Sequence, residues 1–244
     1  MENIFIGLHG ANSPYYNNLN NFTFDRTIDL SEKVNELPIS LKDKTNPPPI
    51  TFSKSNSYYF DNDGVREILD PVSAAGNLFF VESNSAHHIS YFLAKNAFQD
   101  CPPNCKKAVL NFDQHLDYGI SYSPVENLFC GNWGGTLRNE NADYFVEGKY
   151  CPSENVVVSF QEKNGQRIDA DKINEELKAY EYVYVSVDMD VLLKISQNFK
   201  RTNWPDGGMD IDTLKQYIDS HLNGVNVIAA DITGLPVQTR DEKP

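Results

Sequence analysis

The sequence predicts an α/β protein, a parallel sheet with helices over both faces, and two observations carry that prediction. Short Val-rich strands alternate with stretches of amphipathic helical period, and aspartates close three of those strands at Asp113, Asp188 and Asp231. Parallel strands gather their carboxyl ends on one edge, where open α/β sheets bind ligands. The three acids are therefore expected to converge.

The apolar run from Ile4 to Leu8 reads as the first strand. Residues 10–57, rich in Asn, Ser and Pro with "NPPP" at 46–49, read as irregular, and so long a segment suits a cover for an active site. "NLFFVES" (77–83) reads as a buried strand and "SAHHISYFLAKNAF" (85–98) as a helix with Ser85 as N-cap. "KAVLNFD" (107–113) and "NVVVSF" (155–160) are the next strands; a helix over 169–180 places Ile173, Leu177 and Tyr180 at helical spacing. "YVYVSVD" (182–188), a helix near 210–222 and "VNVIAAD" (225–231) complete the pattern. With 244 residues and no internal repeat, one domain spanning 1–244 is expected.

Composition narrows the function. Apolar residues make up 40% of the chain and charged residues 23%, an ordinary globular balance. No apolar run has the length of a membrane span, and "MENIFIGLHG" lacks a basic region before its apolar residues, so a soluble cytoplasmic protein is expected. A net charge of −13 argues against nucleic acid and suits cations or a positively charged substrate. Cys101, Cys105, Cys130 and Cys151 lack the spacing of a zinc site and are expected as reduced thiols.

The chemistry concentrates in two stretches. In "NFDQHLD", Asp113, His115 and Asp117 recur at period two, so an extended segment would point all three the same way. "VSVDMD" repeats the device with Asp188 and Asp190 at the end of a second strand, and "AHHIS" offers His87 or His88. Buried acids in such number need a cation. Carboxylate and imidazole without thiolate suits Mn²⁺ or Fe²⁺, and six donors suit two ions rather than one.

"NFDQHLD" resembles the D-x-H-x-D motif of the ureohydrolases (arginase, agmatinase and relatives), and "VSVDMD" their S-x-D-x-D motif. "AHHIS" lies where that family carries the histidine of G-G-D-H-S, and "DGGMDIDTL" resembles its G-G-L segment. The resemblance spans roughly residues 77–236 in the same order. It implies a three-layer α/β/α sandwich of the arginase–deacetylase kind, two Mn²⁺ ions per chain, and hydrolysis of a guanidino group to urea and an amine. By position, Asp113 and Asp188 would bridge the ions, Asp117 and His87 or His88 would complete one, and His115 and Asp190 the other. His88, one turn before Phe92 on the side of the helix facing the sheet, is preferred to His87. Asp117 counts both as ligand and as catalytic group.

Three departures refine the expectation. The family's proton-shuttling histidine follows the metal motif in N-L-H-G, whereas "NLFCGNWGG" has Phe129 and Cys130 there; His9 is the candidate substitute, and Cys130 a candidate for the pocket wall. Arginases that hold free arginine follow D-x-H-x-D with an asparagine for its carboxylate, whereas this chain has Tyr118 and Gly119 after Asp117. The family's guanidinium-binding glutamate on the last strand is replaced by Gly234, leaving Asp231 as the candidate. Metals kept and the carboxylate clamp lost point to arginine within a peptide, converted to ornithine, as in the small peptide arginases that "CGNWGG" and the compact metal core also resemble. The alternatives are an agmatinase-like hydrolase of a free guanidino compound, a zinc deacetylase on the related fold, and a non-catalytic metal-binding protein. A homo-oligomer is compatible with all of these.

Overall fold

A computed structural model describes residues 1–8, 23–36, 53–55, 58–83, 86–119, 128–153, 156–192 and 207–234. Its elements run β1 (Asn3–Gly7), β2 (Arg26–Asp29), β3 (Val34–Glu36), β4 (Ser53–Ser55), β5 (Tyr58–Phe60), α1 (Asn62–Leu69), β6 (Leu78–Val81) and α2 (Ile89–Gln99). They continue with β7 (Lys107–Phe112), α3 (Trp133–Thr136), β8 (Ala142–Ser153), β9 (Val156–Lys163), β10 (Gln166–Arg167), α4 (Ile173–Leu177), β11 (Tyr182–Asp188), α5 (Ile211–Leu222) and β12 (Val227–Thr233).

Among the described residues, nine strands form one sheet in the order β10-β9-β8-β7-β11-β12-β6-β1-β2. From β8 to β2 every neighbouring pair is parallel; β9 and β10 fold back antiparallel at the edge. The parallel strands β7 and β11 sit at its middle, buried on both faces, which explains their nearly unbroken apolar runs. One core cluster packs Val65, Leu69, Phe92 and Trp133 of α1, α2 and α3 on one face of the sheet. A second packs Ile173, Leu177 and Leu214 of α4 and α5 against Phe112 and Val185. This is the expected α/β architecture with a mostly parallel sheet and helical layers on both sides.

Local chemistry sets the element ends. Asp210 caps α5, accepting from Thr213 N at 2.8 Å. The helix expected over 169–180 is shorter, a 3-10 turn at Ala170–Lys172 followed by α4, because the chain closes after Leu177 through bonds such as Tyr180 N to Leu177 O at 3.0 Å. The segment at 10–57 is not wholly irregular: β2 extends the sheet beside β1, and β3 and β4 pair with β5 in a separate antiparallel sheet. Ser85 lies outside the described residues.

Strand β8 was not expected at all, since Asp143, Glu147 and Gly148 interrupt its apolar pattern. Tertiary partners explain two of them. The buried Glu147 carboxylate meets His221 of α5 and accepts from Gln161 Nε2 at 3.0 Å. Gly148 is required by the close approach of Asp113, whose carbonyl oxygen would lie 1.6 Å from a Cβ there. Among the described residues, no helix is long and apolar enough to cross a membrane.

Candidate metal centre

Both aspartate motifs sit at the carboxyl edge of neighbouring strands, β7 and β11, and both fold by the same local device. Asp113 Oδ1 accepts from the backbone N of His115 at 2.8 Å, and Asp188 Oδ1 from that of Asp190 at 2.9 Å. Each is an aspartate bonding its own backbone two residues on, which turns the chain at the strand end. The expected extended segment is therefore replaced by a bend. Asp117 adopts a left-handed φ of 46°, a conformation that Asp tolerates better than most residues, and the turn brings its carboxylate back beside Asp113.

The side chains converge in two groups that share Asp113. His87 Nδ1 lies 2.9 Å from Asp117 Oδ2, 3.2 Å from Asp113 Oδ2 and 3.3 Å from Asp188 Oδ2. His115 Nδ1 lies 3.3 Å from Asp113 Oδ1 and 3.2 Å from Asp190 Oδ2. The ligand atoms of His87, Asp113 and Asp117, and likewise those of Asp113, His115 and Asp190, all fall within 4.8 Å of one another. Asp113 thus turns one oxygen to each group. Asp188 turns one oxygen toward His87, its other oxygen being held by the Asp190 amide.

His87, not the preferred His88, meets the carboxylates. The helical-face argument for His88 fails because α2 begins at Ile89, so His87 lies before the helix and His88 only caps it. His88 turns into the apolar interior, edge-on to Phe60 with ring centroids 4.4 Å apart. Among the described residues neither of its nitrogens has a hydrogen-bond partner; burial, and then the charge of His87, push its pKa down to about 3.

The tautomer of His87 is set by its far side. Its Nε2 meets Ser186 Oγ at 2.9 Å, and Ser186 Oγ donates to Asp231 Oδ1 at 3.0 Å. A hydroxyl that donates to a carboxylate must accept from the ring, so Nε2 carries hydrogen and neutral His87 presents a lone pair at Nδ1. That buried Nδ1 makes no hydrogen bond of good angle with the three oxygens around it. A nitrogen aimed among convergent carboxylates but bonded to none is the arrangement a cation would satisfy.

The charges agree. Four buried aspartates face two histidines, so a negative excess remains even with both rings protonated. Burial opposes a charged His115, yet Asp113 and Asp190 raise its pKa to about 11; Asp113, Asp117 and Asp188 likewise overcome burial and raise His87 well above its ordinary value. Burial, and then the charge of Asp113, push Asp117 up to about 7. Asp188 and Asp190 are raised, first by burial and then by neighbouring acids, while the two histidines outweigh burial and hold Asp113 well below the usual carboxylate range. Without a metal, protons do its work.

Asp231 does not face this edge. Strand β12 runs to Thr233 rather than ending at the acid, which sets Asp231 beside Ser186 in the sheet. Tyr184 Oη donates to one of its oxygens at 2.7 Å, and Ser186 and Thr233 Oγ1 donate to the other at 3.0 and 2.9 Å. A carboxylate so occupied orients Ser186 and, through it, His87; it is not placed to receive a guanidinium. His9 lies outside the described residues, and Cys130 is half-buried and outside any disulfide.

Sequence reasoning missed two partners. Trp133 Nε1 donates to Asp117 Oδ2 at 2.8 Å, from the buried start of α3 inside "CGNWGG". Asn111 Nδ2 donates to Asp113 Oδ2 at 3.1 Å and to Tyr144 Oη at 2.8 Å. Asn111 carried a signal, since a buried strand position two residues before Asp113 shares its face. Trp133 carried none, because only the fold brings α3 beside the metal motif.

No family model and no curated protein matches the chain. Solved structures do. It is similar to a hypothetical agmatinase from Burkholderia thailandensis at 18% identity and a TM-score of 0.51, over 74% of this chain and 59% of that one. It is similar to formimidoylglutamase from Bacillus subtilis at 15% identity and 0.54, over 98% and 81%, and to arginase from Bacillus caldovelox at 12% and 0.53, over 98% and 93%. The chain therefore spans little more than half the length of the Burkholderia protein. With a mostly parallel sheet and a cluster of acids and histidines at its carboxyl edge, the chain has the fold of these arginase-like proteins.

Proposed function

We propose that this chain is a binuclear, manganese-dependent hydrolase that releases urea from a guanidino group, acting on arginine residues of a peptide to leave ornithine. The observation that carries the reading is Asp113, set between two imidazole–carboxylate groups with one oxygen toward each, beside the unsatisfied Nδ1 of His87. His87, Asp113, Asp117 and Asp188 would hold one ion, and Asp113, His115 and Asp190 the other. The hard oxygen and imidazole donors, with no thiolate among them, fit Mn²⁺. When bound, such a pair supplies a water acidic enough to act as a nucleophile near neutral pH.

The chain's own residues do the rest. Asp231 and Ser186 hold His87 in the tautomer that ligates, and Trp133 and Asn111 fix the orientations of Asp117 and Asp113. Such outer partners tune metal affinity. The acidic edge attracts a guanidinium and opposes anionic competitors. The half-exposed His115 stands at the open side of the cluster, nearest to an entering substrate.

Tyr118 and Gly119 stand where a clamp for a free amino acid's carboxylate is expected, and a peptide-borne arginine has no such carboxylate to clamp. The test is incubation with Mn²⁺ and arginine-containing peptides beside free arginine and agmatine, scoring urea and the loss of CN₂H₂ per arginine by mass. Conversion of the peptide in preference to the free compounds is expected. Equal or faster release from agmatine would move the substrate to a small guanidino compound. No urea from any of them, or one zinc per chain, would overturn the reading as a binuclear guanidino hydrolase.

A further inference from the structure

At the opposite edge of the sheet from the aspartates lies a cavity of about 570 Å³, at the amino ends of β7 and β8. Its lining carries Lys106, Lys107, Arg138 and Lys163 against the acids Asp143 and Glu176. In a chain of net charge −13 such a concentration of cations calls for a reason.

Part of the charge is already matched within the wall. Lys163 Nζ is 2.7 Å from Glu176 Oε2 and lies over the rings of Phe145 and Tyr180, at 5.1 and 5.6 Å from their centroids. Asp143 accepts from Asn164 Nδ2 at 2.6 Å and from the Tyr180 hydroxyl. Lys107 Nζ lies over the Phe98 ring, 5.8 Å from its centroid, and Arg138 helps Lys163 hold the Asp143 carboxyl below its ordinary value. Among the described residues, Lys106, Lys107 and Arg138 have no carboxylate within ion-pair distance of their side chains. The frame beneath them is firm. Lys106 begins the approach to β7, its carbonyl accepting from Glu181 N at 3.0 Å, and Asn141, at a left-handed φ of 55°, turns the chain after Arg138 into β8.

We propose that this cavity binds a small polyphosphate, either inorganic pyrophosphate or the di- or triphosphate group of a nucleotide. The volume lies in the range of small-molecule sites. Charged walls do not suit an apolar ligand, and a guanidinium fork with two ammonium groups suits several phosphate oxygens at once. The strands place the cavity about 20 Å from the aspartates, by the rise of the six residues of β7, so its occupant would not touch the metal centre. The proposal does not rest on the reading of that centre.

The test is calorimetric titration of the full chain with pyrophosphate and with ATP, both metal-free and Mn²⁺-loaded, at low and at physiological salt. One equivalent is expected in both forms, weakening with salt. Lys107→Ala with Arg138→Ala should weaken binding about tenfold or more, and Arg138→Lys by less, because charge is kept and the fork lost. Slowed amide hydrogen exchange at Lys106–Lys107 and Arg138–Ala142 should accompany binding. The proposal is overturned by the absence of saturable binding or by affinity unchanged in the double variant. A matched circular-dichroism melt keeps misfolding of the variant from imitating the expected loss.

Discussion

Strand β7 begins at Lys107, on the wall of the basic cavity, and hands over to Asp113, at the heart of the acidic cluster. The two ends carry opposite charge imbalances, but they differ more in burial. Asp113, Asp117, Asp188 and Asp190 are all buried, whereas Lys106 and Arg138 are exposed and Lys107 half-exposed. Buried like charges must be neutralised, so the acids shift their pKa values and keep protons on neighbouring histidines. Exposed cations remain hydrated at little cost and need no ligand to persist. The acidic end should therefore bind tightly, with strict geometry and a strong pH response, and the basic end weakly and with strong salt dependence.

The sharpest way to break that contrast is Asp113→Ala. Because Asp113 serves both groups, the variant should lose both metal equivalents by elemental analysis, an effect well beyond the roughly 10- to 100-fold change typical of an outer partner. Asp190→Ala should spare the group around His87 and reduce the metal content mainly by one. Equal, undiminished content in both variants would remove the assignment. Next in size, Trp133→Phe keeps the ring but deletes its donor to Asp117 Oδ2, and Ser186→Ala deletes the support of His87 Nε2. Each should weaken one metal equivalent by roughly 10- to 100-fold in calorimetry while leaving the other nearly intact. A uniform loss at both would instead indicate a packing defect.

A pH series on stability comes after these. His115 is raised from 6.5 to about 11, so its contribution is complete below pH 6.5 and is lost as pH rises through the folded value. Asp117, raised from 3.8 to about 7, acts in the same direction over its own window. The metal-free chain should therefore lose thermal stability as pH rises, the Asp117 part through about 7 and the His115 part from 6.5 toward 11. With Mn²⁺ the slope should reverse, since ligation needs the deprotonated groups. Parallel slopes with and without the ion would contradict a metal centre here. The smallest effect belongs to the basic end: Arg138→Ala, at an exposed position, should change folding stability by no more than about 0.5 kcal/mol and leave metal content untouched.

The residues of the acidic edge were largely legible. "NFDQHLD" and "VSVDMD" announced strand ends bearing carboxylates, and the structure sets them on adjacent strands. Their geometry was not legible. Period-two spacing suggested extended segments, but each leading aspartate bonds the amide two residues on and bends the chain. The two adjacent histidines were ordered wrongly because their helical phase depends on where α2 starts, and a one-residue boundary decides which ring faces the acids. Asp231 was expected at a strand end because its apolar run stops there, whereas pairing with β11 carries β12 two residues further.

By itself the sequence determined the α/β class, the acids at two strand ends and the chemistry of the donor set, because hydrophobic period and residue type are local properties. The tertiary structure alone decided that Asp113 stands between two groups, that His87 is the ring turned toward them, and that Trp133 and Asp231 support the cluster from other elements. It alone gathered Lys106, Lys107 and Arg138 from two strand beginnings into one cavity. The physical reason is the same throughout: charge and burial act through distances between residues far apart in the chain, and only packing sets those distances.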